Sequence, residues 1–242
     1  MIPSTSRSPL GSARQAFSPA QIAAEQAEFM RKVYAYMAGG LALTALAAWL
    51  VAMSPSAVQF IFGNRIVFYG LLAAELIMVF SFSAMAQRLS ASGAASLFFL
   101  YSTVNGITLA FVFFVYTTAS VYATFLVTAG TFGGMSIYGY LTKRDLTGVG
   151  HFMMMGLWGL ILAGIVNLFM RSDTMYWLTT FMGVVIFTGL TAYDTQKIKD
   201  LNVIGNAGTD EDAKEAIHGA LVLYLDFINL FLHLLRLLGR RR

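Results

Sequence analysis

Residues 219–235 read Gly-Ala-Leu-Val-Leu-Tyr-Leu-Asp-Phe-Ile-Asn-Leu-Phe-Leu-His-Leu-Leu and carry the strongest indication of the architecture. This run is apolar over nearly the length of a membrane-spanning helix, which needs about 20 residues. One carboxylate, Asp226, lies near its centre, where a charge costs about 3 kcal/mol or more and usually faces the protein interior. The preceding apolar run ends at a second acid, Asp194. If the two runs form neighbouring helices, these carboxyl groups can meet.

The composition of the whole chain is that of a membrane protein. Of its residues, 57% are hydrophobic and 12% are charged, whereas soluble domains contain about 25% charged residues. The mean hydropathy is +0.68. Apolar blocks occupy residues 33–53, 66–86, 95–116, 121–141, 151–170, 175–194 and 216–238, and the links between them are short except for 195–215. We therefore predict an all-α membrane protein with seven transmembrane helices, forming one domain over residues 31–242.

Residues 1–30 form a separate N-terminal tail that is rich in Ser, Pro and Ala. We predict a disordered cytoplasmic segment that leads into an amphipathic stretch at 20–32. The tail has no apolar core, so it is not a cleavable signal peptide, and the first apolar block acts as the insertion signal.

The cysteine count and the net charge exclude several classes of function. The chain has no cysteine, which removes disulfides, thiolate catalysis and zinc–thiolate sites. The formal charge of +4 is weak evidence for nucleic acid, and we expect no nucleic-acid partner. Basic residues at the ends of the spans are better explained by topology and by contact with anionic lipid in the bilayer.

Lysines and arginines are distributed unequally between alternate links. One side of the predicted membrane domain carries most of them: Arg7, Arg14, Arg31, Lys32, Arg88, Lys143, Arg144, Lys197, Lys199 and Lys214. The other side carries Arg65 and Arg171, together with arginines 240–242 if the last block crosses the membrane fully. Because positive charge favours the cytoplasmic side, we predict a cytoplasmic N-terminus. A re-entrant last block would return the three arginines to the cytoplasm, but its length and unbroken helical pattern favour a full crossing.

The polar residues of the last block follow a helical spacing. Asp226, Asn229, His233 and Arg236 advance by three, four and three residues, so they fall on one stripe, and Gly219 lies on the same stripe. The rest of the circumference is apolar. We predict a central helix whose polar stripe faces a polar cavity, and the alternative is a hydrogen-bonded stripe that only fixes the helix register.

Three charged residues have both a structural and a functional interpretation. Asp194 alone could be a solvated helix end or the partner of a nearby lysine, so its functional interpretation depends on Asp226. Glu75 lies inside the second block, where it is either protonated and hydrogen-bonded to a neighbouring Asn or Ser or part of an ion pathway. Arg88 ends that block and is either an interfacial anchor or a latch for a carboxylate.

Glycines at three- and four-residue spacing predict close helix packing. They are Gly130, Gly133, Gly134 and Gly139 in the fourth block, with others in the first and fifth blocks. The three histidines, His151, His218 and His233, have no spacing that suggests a shared metal site.

Two signatures in the chain belong together. Residues 191–197, Thr-Ala-Tyr-Asp-Thr-Gln-Lys, and residues 223–231, Leu-Tyr-Leu-Asp-Phe-Ile-Asn-Leu-Phe, closely resemble those of the Bax inhibitor-1 family of seven-span membrane proteins. The similarity extends from about residue 30 to the end and includes the acid in the second span. The short links, the Ser/Pro tail and the turn at 142–146 indicate a bacterial, inner-membrane member.

The resemblance implies a fold and a function. The last helix is expected to stand in the middle of a bundle of six, and Asp194 and Asp226 are expected to form a pH-sensitive pair that controls a calcium leak down its gradient. An arginine of the second span latches one acid in the family, and it corresponds only loosely to Arg88. We expect no cofactor, with calcium as the transported ion.

The chemistry of such a pair follows from general principles. Two carboxylates in a low-dielectric site cannot both ionise cheaply, so they share a proton. Calcium prefers several oxygen ligands, and we predict that Asp194, Asp226 and the amide of Asn229 form a weak, hydrated site, as a leak requires. Glu75 and His233 are further candidates along the ion pathway, His233 as a second titrating group.

Two other functions compete with the leak. Intramembrane aspartyl proteases also place acids on two neighbouring spans, but their Gly-x-Gly-Asp and Pro-Ala-Leu signatures are missing from this sequence, and we predict that the protein is not an enzyme. The resemblance also implies an association with a membrane-bound AAA protease, for which residues 1–20 would serve as a handle.

Overall fold

The structure is a computed structural model that describes residues 17–85 and 89–242, apart from the side chains of 83–85. Most of the predicted N-terminal tail and the candidate latch, Arg88, therefore lie outside the described residues. The regular elements are α1 (Pro19–Met53), α2 (Pro55–Phe62), α3 (Arg65–Met85), α4 (Ala91–Leu109), α5 (Val112–Val115), α6 (Thr118–Leu141), α7 (Thr147–Met170), α8 (Asp173–Leu201) and α9 (Asp210–Leu238).

Seven of these segments are long and apolar enough to cross a membrane, with α4 and α5 together making the third crossing. The prediction of an all-α membrane protein with seven transmembrane helices is confirmed. The helix starts follow from side-chain caps: Ser18 and Gln21 form a reciprocal capping box at α1, and Ser90, Ser172 and Thr209 cap α4, α8 and α9. Helix α1 begins at Pro19 and runs without a break into the first span. The predicted boundary between the N-terminal tail and the membrane domain, at residues 30 and 31, therefore lies inside one helix.

The crossings alternate in direction and so define two faces of the bundle. The N-terminal face carries the start of α1 and the links 142–146 and 202–209, and the C-terminal face carries 54–64 and the chain end. On that second face the chain end pairs with the link before α6: Arg242 N–H donates to the Val115 carbonyl and Thr117 N–H donates to the Arg240 carbonyl, both at 3.0 Å. The last helix therefore crosses fully, and a re-entrant arrangement is excluded. The Lys and Arg count remains the basis for predicting that the N-terminal face is cytoplasmic.

Helix α9 is the centre of the bundle. It packs against α1, α4, α6 and α8, while α3 covers α4 from outside and α7 covers α8. Sixteen of its residues are buried, including Leu223, Tyr224 and Leu230, whereas Gly150 is the only buried residue in α7. The expected central last helix is therefore present, with four helices in direct contact and two behind them.

Glycine packing occurs at some of the predicted positions and fails at others. A Cβ at Gly139 would collide with the backbone carbonyl of Ala192 in α8, and one at Gly106 would collide with the backbone of Thr44 in α1. Open space lies beside Gly130, Gly133 and Gly134. The prediction of close packing was therefore wrong for these three glycines, because no neighbouring helix approaches α6 closely at these positions, and Gly133 lines an open groove between α6 and α1.

Candidate functional site

The two signature acids lie opposite each other on adjacent antiparallel helices. Gly219 of α9 contacts Ile198 of α8 near the N-terminal face, and His233 contacts Gly183 near the other face. Between these two contacts, the carboxyl groups of Asp194 and Asp226 lie close enough to interact electrostatically. The antiparallel register of the two helices thus brings the two acids together.

Burial makes this contact depend on a proton. Asp226 is 5% exposed, and its Oδ2 atom is buried with no hydrogen-bond donor among the described residues. An ionised carboxylate only accepts hydrogen bonds, so Asp194 and Asp226 can bond to each other only if one of them is protonated. With both ionised, the pair would place two like charges together in a poorly solvated site.

The nearest cation to the pair is Lys197, one turn after Asp194 on α8. Its ammonium group lies 5.6 Å from the ring centre of Tyr193, and its side chain is exposed. Asp194 forms no ion pair within 4.0 Å in the part of the chain that the structure describes. Asp226, rather than a lysine, is therefore its closest charged-group contact.

The rest of the polar stripe packs against α8. The Asn229 amide donates to the Leu225 carbonyl of its own helix at 2.8 Å. The His233 ring stacks on Phe187 with centres 5.7 Å apart, and its Nδ1 atom is buried without a partner among the described residues. His233 therefore packs against α8, where Gly183 has no side chain to exclude its ring, and its place on an ion pathway stays a prediction.

The residues after Asp194 attach α8 to the neighbouring α6 and to the link that follows it. Thr195 donates to Ser136 at 3.3 Å. The Gln196 amide accepts from the Leu146 backbone and donates to the Arg144 carbonyl, both at 2.8 Å. This signature therefore supplies one half of the acid pair together with the contacts that hold its helix in place.

A second polar network lies on the opposite side of α9. Glu75 of α3 accepts hydrogen bonds from Thr108 at 2.6 Å and from Asn105 at 3.3 Å, both in α4. The Tyr224 hydroxyl donates to Asn105 at 3.0 Å and lies 2.7 Å from the Thr44 hydroxyl of α1. Since Tyr224 and Asp226 are two residues apart on one helix, they point to nearly opposite sides. The structure therefore places Glu75 in a network separate from the acid pair.

Comparisons with known proteins agree with the signatures. The family model described as "Inhibitor of apoptosis-promoting Bax1" matches residues 26–242. The Escherichia coli K12 protein named inner membrane protein YbhL is 50% identical over 215 residues, which cover 88% of this chain and 92% of that protein. The chain belongs to the Bax inhibitor-1 family.

More distant relatives have the same extent. A Borreliella burgdorferi protein, named as uncharacterized, is 43% identical over 215 residues, covering 89% of this chain and 93% of the relative. A Streptococcus pyogenes serotype M1 protein, named as an uncharacterized membrane protein, is 36% identical over 215 residues, covering 88% and 93%. These Bax inhibitor-1 relatives are named as membrane or uncharacterized proteins, and none of the three names states an enzymatic activity.

The sequence did not predict the contacts of some polar residues in this Bax inhibitor-1 family member. Tyr224 lies inside the second signature, yet nothing in the sequence indicated that it would bond to Thr44 on the first helix. Metal-binding clusters of three or more His, Asp or Glu residues do not occur within the described residues. A calcium ion at the acid pair would therefore have two carboxylates at most, with water or amide oxygens completing its shell.

Proposed function

We propose that this protein is a pH-sensitive cation leak that passes calcium down its gradient and is gated by Asp194 and Asp226. The observation that supports the proposal most strongly is the proximity of the Asp194 and Asp226 side chains, together with an Oδ2 atom of Asp226 that is buried and has no hydrogen-bond partner among the described residues. A buried acid pair is costly unless it holds a proton or a cation, and both are species that this function uses.

The closed state depends on the shared proton. A protonated pair joins α8 to α9 by one hydrogen bond in the membrane interior, where water does not compete for it. Helix α8 is also attached to α6 through Thr195 and to the link after α6 through Gln196. The proton therefore links the central helix α9 to α8, which is itself held by its neighbours in the bundle.

Loss of that proton opens the leak. Two adjacent carboxylates repel each other, so α9 and α8 separate at this level or a cation enters between them. Calcium would take oxygen atoms from Asp194 and Asp226, and from Asn229 if that amide gives up its bond to Leu225. Such a site is weak and hydrated, which lets the ion leave again.

The remaining candidates have subordinate roles in this proposal. Glu75 is a third acid on the ion route, and His233 is a further group whose protonation can tune opening. Both also have a structural interpretation, as a hydrogen-bonded network and as a packed ring. We propose Arg88 for the latch role that the family resemblance implies. We propose the inner membrane of a bacterium as the location, with the N-terminus in the cytoplasm.

The decisive experiment is calcium flux from proteoliposomes between about pH 5 and pH 8. We expect the wild-type flux to rise with pH and the D194N/D226N double variant to give a flux that no longer depends on pH. The control is D200N, since Asp200 is an exposed acid on the same helix, with 62% of its side chain accessible. An unchanged pH profile in the double variant would remove the pair from the mechanism.

The two competing functions have their own tests. A protease would cleave a membrane substrate in a reaction that disappears in D226A, with no need for an ion gradient. A role with a membrane-bound AAA protease predicts that deletion of residues 1–20 changes the turnover of this protein and leaves its calcium flux unchanged. That second role is compatible with the leak.

A further inference from the structure

A basic groove lies on the C-terminal face, away from the acid pair. It has a volume of about 540 Å³ and lies between the end of α7, the start of α8 and the end of α9. The residues that decide its chemistry are Arg171, Asp173, Tyr176, Trp177, Arg236 and Arg241. The groove thus collects guanidinium groups from the end of α7, the last turn of α9 and the C-terminal tail.

The positive charge in this groove is not balanced. Three arginines line it against one acid, Asp173. None of the three arginines forms an ion pair within 4.0 Å among residues 17–85 and 89–242. Convergent cations without a carboxylate partner attract an anion, most strongly where a low-dielectric wall reduces screening.

Two of the arginines are held in position by the backbone. Arg171 closes α7 with a φ of 51°, the only positive φ at a non-glycine residue in the described chain. Non-glycine residues adopt this conformation at a cost. Arg241 is fixed by the pairing of its backbone region with Tyr116, and its side chain donates to the Tyr176 hydroxyl at 3.1 Å. The Arg241 guanidinium group is therefore oriented before any ligand arrives, and the backbone of Arg171 is held at the edge of the same groove.

We infer that this groove binds a phosphate-type anion. Guanidinium groups bind phosphate oxygens through paired hydrogen bonds, which lysine cannot match. Trp177 and Tyr176 are the residue types that mark the level of lipid headgroups, so the phosphate of an anionic phospholipid is one source and free phosphate is the other. Such a ligand also accounts for clustered arginines on the face that the Lys and Arg count predicts to be the non-cytoplasmic one.

The test compares R171Q/R236Q with the wild type and with R65Q. Arg65 is the matched control because it is an exposed arginine at the start of α3, on the same face and outside the groove. Arg241 is left intact because it also anchors the chain end. The full-length protein is reconstituted with phosphatidylglycerol or with phosphatidylcholine, and bound lipid is counted by native mass spectrometry. A parallel titration with inorganic phosphate follows the thermal unfolding midpoint.

We expect wild type and R65Q to retain phosphatidylglycerol in preference to phosphatidylcholine, and R171Q/R236Q to lose at least roughly tenfold in that preference. The charge-conserving R171K/R236K variant should show an intermediate loss, because lysine keeps the charge and loses the paired geometry. A midpoint that rises with phosphate in the wild type and not in R171Q/R236Q identifies free phosphate as a source. Equal binding of both lipids together with no response to phosphate, or equal behaviour of R171Q/R236Q and R65Q, would overturn the inference.

Discussion

The ammonium group of Lys32 in α1 lies 2.7 Å from the carboxylate of Asp212 in α9, and only 3% of that aspartate side chain is exposed. The Gly208 backbone donates to the same oxygen at 2.9 Å. These contacts join the first and last helices at the N-terminal face. The central helix is therefore held at its start by an ion pair as well as by apolar packing.

Removing this carboxylate should destabilise the bundle. In D212A the Lys32 ammonium group and the Gly208 N–H both lose their acceptor, and we expect a loss of roughly 2 kcal/mol in the free energy of unfolding. The thermal unfolding midpoint of the purified protein measures this change. E211A is the control, since Glu211 also lies in the first turn of α9 but has 67% of its side chain exposed. Equal midpoints for D212A and E211A would contradict the importance of the ion pair.

A second prediction separates two glycines of α6. The G139A variant should unfold at a lower temperature than wild type, because its methyl group meets the Ala192 carbonyl of α8, a backbone atom that cannot move aside without shifting the helix. The G130A variant should unfold at or slightly above the wild-type temperature, since it gains helix propensity and meets open space. If the two variants lose the same stability, the assignment of which side of α6 packs on α8 is wrong.

A third prediction concerns the network around Tyr224. Y224F keeps the ring, which packs edge-on against Phe98, and removes the hydroxyl contacts with Thr44 and Asn105. We expect a loss of about 1 kcal/mol in unfolding free energy, as is usual for a hydrogen bond between membrane helices. Y122F should be neutral, because Tyr122 is 60% exposed. The network would have no structural role if Y224F proved as stable as Y122F.

The arrangement around the acid pair could be predicted largely from local spacing. Helical periodicity places Asp226 and His233 on one side of the last helix, and α8 and α9 are consecutive spans that cross in opposite directions. These two facts bring Asp194 within reach of Asp226. They do not say how closely the helices approach, because that depends on Gly183, whose missing side chain admits the His233 ring.

Contacts between distant parts of the chain could not be predicted in this way. Asp212 falls in the long predicted link at 195–215, and its partner Lys32 is 180 residues earlier. Tyr224 and Thr44 are separated by the same number of residues. Pairs of this kind depend on which helices become neighbours in the bundle, a property that hydropathy and periodicity leave undetermined.

We propose that Asp194 and Asp226 share one proton in the closed protein. Infrared difference spectroscopy on membranes containing the protein, titrated from neutral to alkaline pH, detects the carbonyl stretch of a protonated carboxyl group. We predict a band that disappears as the pH rises, is absent from D194N/D226N, and persists in E75Q, the variant of the partly buried acid in α3. A wild-type spectrum without such a band, or a band that D194N/D226N leaves unchanged, would contradict the account.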